Sequence, residues 1–309
     1  MACCECHASG LFYDKRKGKC MLCPIKQAQI GTLKKQAKRG AVWAQGALGT
    51  TFLRGDGAVS KSPHDAFRWL QKAAAKGSPL AMTVLGVMYL DEDGHKRDLH
   101  QAQKYGEVLY SSDVPFIHAA GRDILNKVGS DFTDCYGDED HCEKGFQILR
   151  RLANADDATA DCKSMLGVSC YQYHNYSSAL PWLVSVAMEQ SCDMQLTGTM
   201  VRFAMLCCER LQLMPQAKLW MCVAERSGFD FAEEPLWKAE HSCFILKLRD
   251  LRRSCAHCGV GLTRDTRKLC KGCRTCCYCS VHCQKHHWAE GSHREECKEV
   301  IRLKEMLKK

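Results

Sequence analysis

The chain has 309 residues, of which 46% are hydrophobic and 26% charged, with a formal net charge of +9. This length and composition allow a buried core in two or three domains and exclude a chain that is disordered throughout. No apolar run has the length of a signal peptide or a membrane span, so no membrane association is expected. Many of the 23 cysteines stand singly on helical patterns, which favours a reducing compartment, cytoplasm or nucleus, over a disulfide scaffold.

Residues 1–30 hold the first cysteine cluster. Two C-x2-C pairs stand thirteen residues apart, and such pairs point two thiolates each at one metal ion. The sequence therefore predicts an N-terminal knuckle with one zinc ion, held by Cys3, Cys6, Cys20 and Cys23. Cys4 is an alternative to Cys3, which is preferred because it completes the C-x2-C spacing. A terminus with free thiols is the other interpretation of this stretch.

Residues 31–231 are rich in alanine and repeat themselves. The stretch from Lys38 onward matches a later stretch at an offset of 37 residues, which aligns Gly40 with Gly77 and Gly49 with Gly86. A repeat of this length is typical of stacked helix pairs. The chain is therefore mainly α, with an α-solenoid of about five helix pairs.

A second pattern marks the second helix of each pair. An alanine followed three residues later by Trp or Tyr occurs four times, and a degenerate copy falls at Gly145–Ile148. The four copies are Ala66 with Trp69, Ala102 with Tyr105, Ala179 with Trp182, and Ala217 with Trp220. Small residues let two helices approach closely, while the aromatic fills the groove to the next pair. This set of positions resembles the Sel-one-like repeat, a relative of the tetratricopeptide repeat.

Two further segments lie between the predicted helices and the C-terminus. The acidic stretch Ser130–Asp140 gives the longest loop signal and is interpreted as a linker inside the third pair. Residues 232–254 show apolar spacing typical of a helix that caps the repeats and leads into the next domain. Residues 298–309 form a short, basic, amphipathic helical tail, which is expected to pack on its own domain.

Residues 255–297 carry the strongest motif in the chain. Seven cysteines and one histidine form four closely spaced pairs, which is enough for two tetrahedral zinc sites. So few apolar residues lie between them that the metal must supply most of the folding free energy. The predicted ligands are Cys255, Cys258, Cys270, Cys273, Cys279, Cys283, His293 and Cys297. His282, His286 and His287 are competitors of His293, while Cys276 and Cys277 break the spacing and are interpreted as bystanders.

This segment resembles the MYND-type zinc finger. The resemblance rests on Tyr278 before Cys279, Gln284 after Cys283, Trp288, and the final His293-x3-Cys297. It implies a two-zinc cross-brace, in which Cys255, Cys258, Cys279 and Cys283 hold one ion and Cys270, Cys273, His293 and Cys297 the other. A RING finger would need a C-x-H-x2-C centre, which the chain lacks.

The resemblance also implies a function. MYND fingers bind proline-containing peptides in a shallow groove. By this resemblance the groove would be formed by Tyr278, Gln284 and Trp288, although Trp288 could equally pack the finger. No catalytic constellation stands in a suitable context, so the chain is predicted to be a non-enzymatic adaptor for partner proteins. Two alternatives remain: nucleic-acid binding through Lys268, Lys271, Arg274 and Lys285, and an enzymatic role as a lysine methyltransferase or a ubiquitin-ligase accessory.

Overall fold

In the computed structural model the chain forms two compact units, Met1–Leu152 and Ala153–Lys309. Neither unit contains a helix, within the ranges given next, that is long and apolar enough to cross a bilayer. The structure describes residues 13–14, 19–20, 27–55, 59–91, 96–134, 139–189, 194–226, 248, 250–251, 253–290 and 293–307.

The N-terminal segment contributes a pair of short antiparallel strands. Tyr13 of β1 (Tyr13–Asp14) lies opposite Cys20 of β2 (Lys19–Cys20). The strands lie after the first predicted cysteine pair, and β2 ends at Cys20, the first residue of the second pair. Cys3, Cys6 and Cys23 lie outside the described residues, and Cys20 is described only by its backbone, so the N-terminal knuckle stays a prediction.

The first unit is a succession of helices in which neighbours along the chain pack on one another. Proline at the first helical position and the caps Ser62 and Asp98, which accept from the amides of Asp65 and Gln101, fix where four of them begin. The helices are α1 Gln27–Lys38, α2 Val42–Arg54, α3 Pro63–Ala74, α4 Pro79–Asp91, α5 Leu99–Tyr110, α6 Pro115–Thr133 and α7 Glu139–Ala153.

The second unit continues the pattern with two further helix pairs and then a small region of short strands and two helices. Its elements are α8 Ala160–Gln172, α9 Tyr176–Met188, α10 Met194–Arg210, α11 Met214–Arg226, β3 Lys268–Leu269, β4 Cys277–Tyr278, α12 Val281–Ala289 and α13 His293–Met306. From α2 to α11 the described helices form the five predicted pairs. Most of the predicted capping helix lies outside the described residues, and the predicted tail is the second half of α13 rather than a separate element.

The repeated small residues lie where the helices are closest. Ala66, Ala102, Ala179 and Ala217 are all fully buried. At the degenerate copy, a Cβ on Gly145 would lie 2.7 Å from the carbonyl oxygen of Gly129, so even alanine would be too large there. The departure from the pattern therefore reflects tighter packing between α6 and α7.

The second and third pairs are joined by a side chain that fills a gap. Gly86 and Gly106 both face α6, and a Cβ on either would come within 3.3 Å of Ile124. In the first pair the position equivalent to Gly106 is Leu70, which fills the space over Gly49 instead. Ile124 thus occupies, from the next pair, the volume that the second pair leaves open.

The predicted linker Ser130–Asp140 lies inside the third pair but is shorter than predicted, because residues 130–133 and 139–140 are helical. α6 extends to Thr133 and α7 begins at Glu139, so only five residues separate them. Asp131 is buried and its carboxylate lies 2.6 Å from the Arg97 guanidinium and 2.9 Å from the Lys127 ammonium. Because two cations compensate its charge, this carboxylate can be buried in the helix pair instead of standing in a solvated linker.

Candidate metal centres

Two tight turns begin the metal-binding region. In the first knuckle (Cys255–Cys258), the amide of Gly259 donates to the carbonyl of Cys255, and Gly259 has φ +73°. In the second knuckle (Cys270–Cys273), the amide of Arg274 donates to the carbonyl of Cys270, and Arg274 has φ +54°. The left-handed residue after each pair closes the turn and brings two sulfurs to one side.

The first cluster consists of Cys255, Cys258, Cys279 and Cys283, whose sulfurs lie within 4.8 Å of one another. The sulfur of Cys279 is 3.7 Å from that of Cys258 and 3.4 Å from that of Cys283. Thiolates about 2.3 Å from a tetrahedral zinc ion stand about 3.8 Å apart, so these spacings fit the ion. Ser280 caps α12 by accepting from the amide of Cys283, which fixes the last of the four.

The second cluster consists of Cys270, Cys273, His293 and Cys297, all buried. The sulfurs of Cys270 and Cys297 are 3.7 Å apart, and Nε2 of His293 is 3.5 Å from Cys270 and 3.9 Å from Cys273. The Nε2 atom therefore faces the sulfurs. His293 and Cys297 are four residues apart at the start of α13, which places both on one face.

The structure thus brings together, in two groups of four, the eight residues that the spacing indicated. The grouping is the interleaved one: the first and third pairs form one cluster, and the second and fourth form the other. The competitors of His293 stand elsewhere. His287 stacks on the His293 ring with centroids 5.1 Å apart, while His282 and His286 lie on another side of α12.

Comparison with known protein families agrees with this geometry. The model of the MYND finger matches residues 255–297. This segment is a MYND finger. The model of the Sel1 repeat matches residues 44–78 and 79–107, which are the first two helix pairs, α2–α3 and α4–α5. The chain therefore combines Sel1 repeats with a C-terminal zinc-binding MYND finger.

Among solved structures, the chain is similar to a Sel1 repeat protein from Oxalobacter formigenes. The two share 18% identity with a TM-score of 0.38, over 73% of this chain and 98% of that one. No curated protein matches the chain.

A second layer of residues surrounds the second cluster of the MYND finger. The Nδ1 atom of His293, on the far side from the sulfurs, lies 3.7 Å from the Cys276 sulfur and 3.9 Å from the Glu296 carboxylate. The Glu296 carboxylate therefore stands on the side of the imidazole from which carboxylates orient metal-binding histidines. Cys276 and Glu296 were not predicted for this role, because neither belongs to a ligand pair.

The electrostatics of the second cluster prepare it for a cation. The thiol of Cys276 donates to Cys273 and, against the cost of burial, holds the Cys273 pKa at about 2. Burial lowers the pKa of His293, but the nearby Cys273, Glu296 and Cys270 outweigh burial and raise the pKa to about 10. Without metal, the protonated His293 stands beside the Cys273 thiolate, while burial raises the pKa of Cys297 to about 12. Zinc binding would therefore release the protons of His293 and Cys297.

The other bystander, Cys277, has a structural role. Its thiol donates to the carbonyls of Ser254 and Leu251, at 3.3 and 3.5 Å, and the side chain is fully buried. It thereby ties strand β4, which pairs with β3, to the segment that enters the first knuckle.

Helix α13 connects the finger to the repeats of the same unit. The Lys304 ammonium donates to the carbonyl of Cys273 in the second knuckle, and Val300 and Leu303 are buried. A Cβ on Gly272, inside that knuckle, would lie 2.9 Å from the Cys297 sulfur, so glycine is needed there. Residues of α13 also contact α11, the last helix of the repeats.

The residues predicted to bind a peptide lie in different surroundings. Tyr278 is fully buried and its hydroxyl is 3.1 Å from Nδ1 of His287, so it supports the finger from inside and is not available to a peptide. Gln284 is half-buried, and 39% of the Trp288 side chain is exposed. Val281, which the sequence did not single out, is 53% exposed and lies about two helical turns before Trp288, on the same side of α12.

Proposed function

We propose that the protein is a zinc-stabilised adaptor that holds partner proteins through short peptide segments. The observation that carries the proposal is the exposed Trp288 face, defined as Val281, Gln284 and Trp288 on α12. This face stands beside two clusters that each have four protein donors. A zinc ion with four protein ligands has no open position for substrate, so the clusters favour a structural role over catalysis.

The zinc ligands are part of the proposal. We assign one ion to the first cluster and one to the second, with a third ion at the N-terminal knuckle of Cys3, Cys6, Cys20 and Cys23. Native mass spectrometry of the full chain is expected to give three zinc ions, and two when all four N-terminal cysteines are replaced by serine. A count below two in the unmodified protein would contradict the assignment of the clusters.

The Trp288 face offers a binding energy that can be estimated. If about 250 Å² belongs to the whole side chain, covering the exposed 39% of Trp288 would bury about 100 Å² and contribute about 2.5 kcal/mol. Val281 adds apolar area, and Gln284 places an amide between the two for the backbone of an extended peptide. Proline stiffens such a peptide and lowers the entropy lost on binding, which supports a proline-containing partner segment.

The test is an array of 12-residue peptides, each containing proline and each paired with a copy in which alanine replaces proline. We expect binding that depends on proline and that falls roughly sixty-fold in Trp288→Ala, from the energy given above. Val260→Ala is the matched control, because Val260 is a 51% exposed apolar residue of the finger outside α12. If Trp288→Ala keeps its zinc and binds every peptide as before, the face does not bind peptides.

The repeats offer a second surface for partners. In the first unit, α5 and α7 border a cavity of about 310 Å³ lined by Gln103, Glu107, Lys144, Gln147, Ile148 and Arg151. Two side-chain amides and a pair of opposite charges, Glu107 and Arg151 at 2.7 Å, suit the backbone and polar side chains of a partner segment. Capture of partners by the Trp288→Ala variant and by a Gln103→Ala/Gln147→Ala variant will distinguish the two surfaces.

We further propose that the protein works in the cytoplasm or the nucleus. Its thiols support this, because the zinc clusters need reduced cysteines and single cysteines such as Cys162 and Cys170 are buried in the repeats as small apolar residues. Imaging of the protein in cells, with fractionation as the second measurement, tests the compartment.

A further inference from the structure

A second face of α12 carries histidines that neither zinc cluster uses. His282 and His286 are four residues apart, and their ring centroids are 4.4 Å apart. Neither ring belongs to the first or the second cluster. On a helix this spacing places two imidazoles on one side, where both can reach a single metal ion. This histidine face is distinct from the Trp288 face, because the two lie at different angles around the helix.

A third imidazole comes from the first knuckle. His257 stands between Cys255 and Cys258, and its ring stacks on His286 with centroids 5.7 Å apart and planes at 23°. The ring is exposed, so it can turn about its side-chain bonds toward the pair on α12. The chain thus places three imidazoles side by side from two separate elements.

A carboxylate already orients the middle ring. The Nδ1 atom of His286 lies 3.1 Å from the carboxylate of Glu290, at the end of α12. A hydrogen bond from Nδ1 fixes the tautomer and leaves Nε2 with a free lone pair. This arrangement of carboxylate, imidazole and open position is the one in which histidines usually bind metals.

We propose that His282 and His286, with His257 as the third donor, bind one additional divalent cation of the late first transition row, such as Zn²⁺. Imidazole nitrogen favours this class of ion over Mg²⁺ or Ca²⁺, which prefer oxygen. Within the described residues only the two thiolate clusters bring three or more donors within 4.8 Å, so His257 completes the site by rotating. The remaining positions are open to water or to a donor from a partner.

The proposed site differs from the finger's own zinc in ways that an experiment can separate. It has no thiolate, it lies at the surface, and it uses none of the eight clustered donors, so it binds far more weakly and exchanges freely. Its occupancy is therefore independent of the proposed peptide function. The experiment uses the full chain without a histidine tag, loaded with tightly bound zinc that is counted by native mass spectrometry before each titration.

Zinc chloride is then titrated into this protein by isothermal titration calorimetry. We expect one further ion per chain, with affinity at least ten-fold lower in His282→Ala and in His286→Ala. Glu290→Gln is expected to weaken binding about ten-fold with the stoichiometry unchanged, because it removes only the orienting carboxylate. His64→Ala, which removes a histidine of α3 far from the finger in sequence, is the control and should leave the titration unchanged.

Two results overturn the proposal: no uptake beyond the tightly bound ions in the unmodified protein, or the same uptake in a His282→Ala/His286→Ala variant. The count of tightly bound zinc in each variant distinguishes loss of the surface site from collapse of the finger. If a substitution on α12 lowers that count, His257→Asn, outside the helix, replaces it. Affinity that is unchanged in His257→Asn would remove the third donor and with it the site as proposed.

Discussion

The close approach of α5 and α6 gives a prediction whose sign is opposite to the usual effect of the same substitution. Gly121 lies within α6, and alanine in a helix interior normally stabilises by about 1 kcal/mol relative to glycine. At this position a Cβ would overlap the amide nitrogen of Tyr110 and lie 2.7 Å from the carbonyl carbon of Leu109, against ordinary contacts of 3.4 Å or more. These atoms belong to the backbone of α5, so the two helices must separate.

Overpacking of this kind lowers the free energy of unfolding by up to about 3 kcal/mol, and the higher helix propensity of alanine offsets about 1 kcal/mol of this loss. We therefore expect Gly121→Ala to destabilise by about 2 kcal/mol and to lower the Tm by about 4–8 °C, measured by circular dichroism at 222 nm. Gly31→Ala in α1 is the matched control: nothing lies within 4 Å of its Cβ, so it should raise the Tm slightly. If both variants raise the Tm equally, the close packing described for the repeats is wrong.

Three further predictions concern residues of the second unit, the last of them by comparison with Cys142 of the first. Cys297→Ser should leave one zinc ion in the finger. Because α13 contacts α11, the substitution should also speed amide hydrogen exchange in α11. Unchanged exchange in α11 would refute the coupling between the second cluster and this helix. Lys304→Met should speed zinc release to a chelator about five-fold by removing about 1 kcal/mol from the contact with the second knuckle, whereas the exposed Lys298→Met should not change it. Burial raises the pKa of Cys207 to about 12, so at pH 8 only about one Cys207 thiol in 10⁴ is ionised. Iodoacetamide should therefore modify the partly exposed Cys142 before Cys207. Equal rates of modification would contradict this prediction.

Much of the repeat architecture was predictable from the sequence, because small residues recur where helices touch. The alanine pattern marked the second helix of each pair, and those alanines are fully buried. The polar stretch around Asp131 misled, since residue type alone does not reveal the cations that compensate a buried carboxylate. The sequence also could not explain why the second pair has Gly106 where the first pair has Leu70, because Ile124, which fills the gap, is distant in sequence.

In the MYND finger, the spacing of the cysteine pairs was sufficient to predict which residues converge. The interleaved grouping came from the family resemblance, and the structure has the same grouping. The burial of Tyr278 and the positions of Cys276 and Glu296 behind His293 could not be read from spacing, because they depend on how α12 and α13 fold over β4. Domain boundaries and the N-terminal ion stay predictions.

The reliance of α4 and α5 on Ile124 limits how this array can change. A duplicate of the first helix pair inserted after the second would keep its own leucine over its own glycine, as Leu70 lies over Gly49, and would move Ile124 away from Gly86 and Gly106. A void or a collision would follow at one junction or the other. The second and third pairs are therefore a matched couple, which recombination can move together but cannot separate without a compensating substitution.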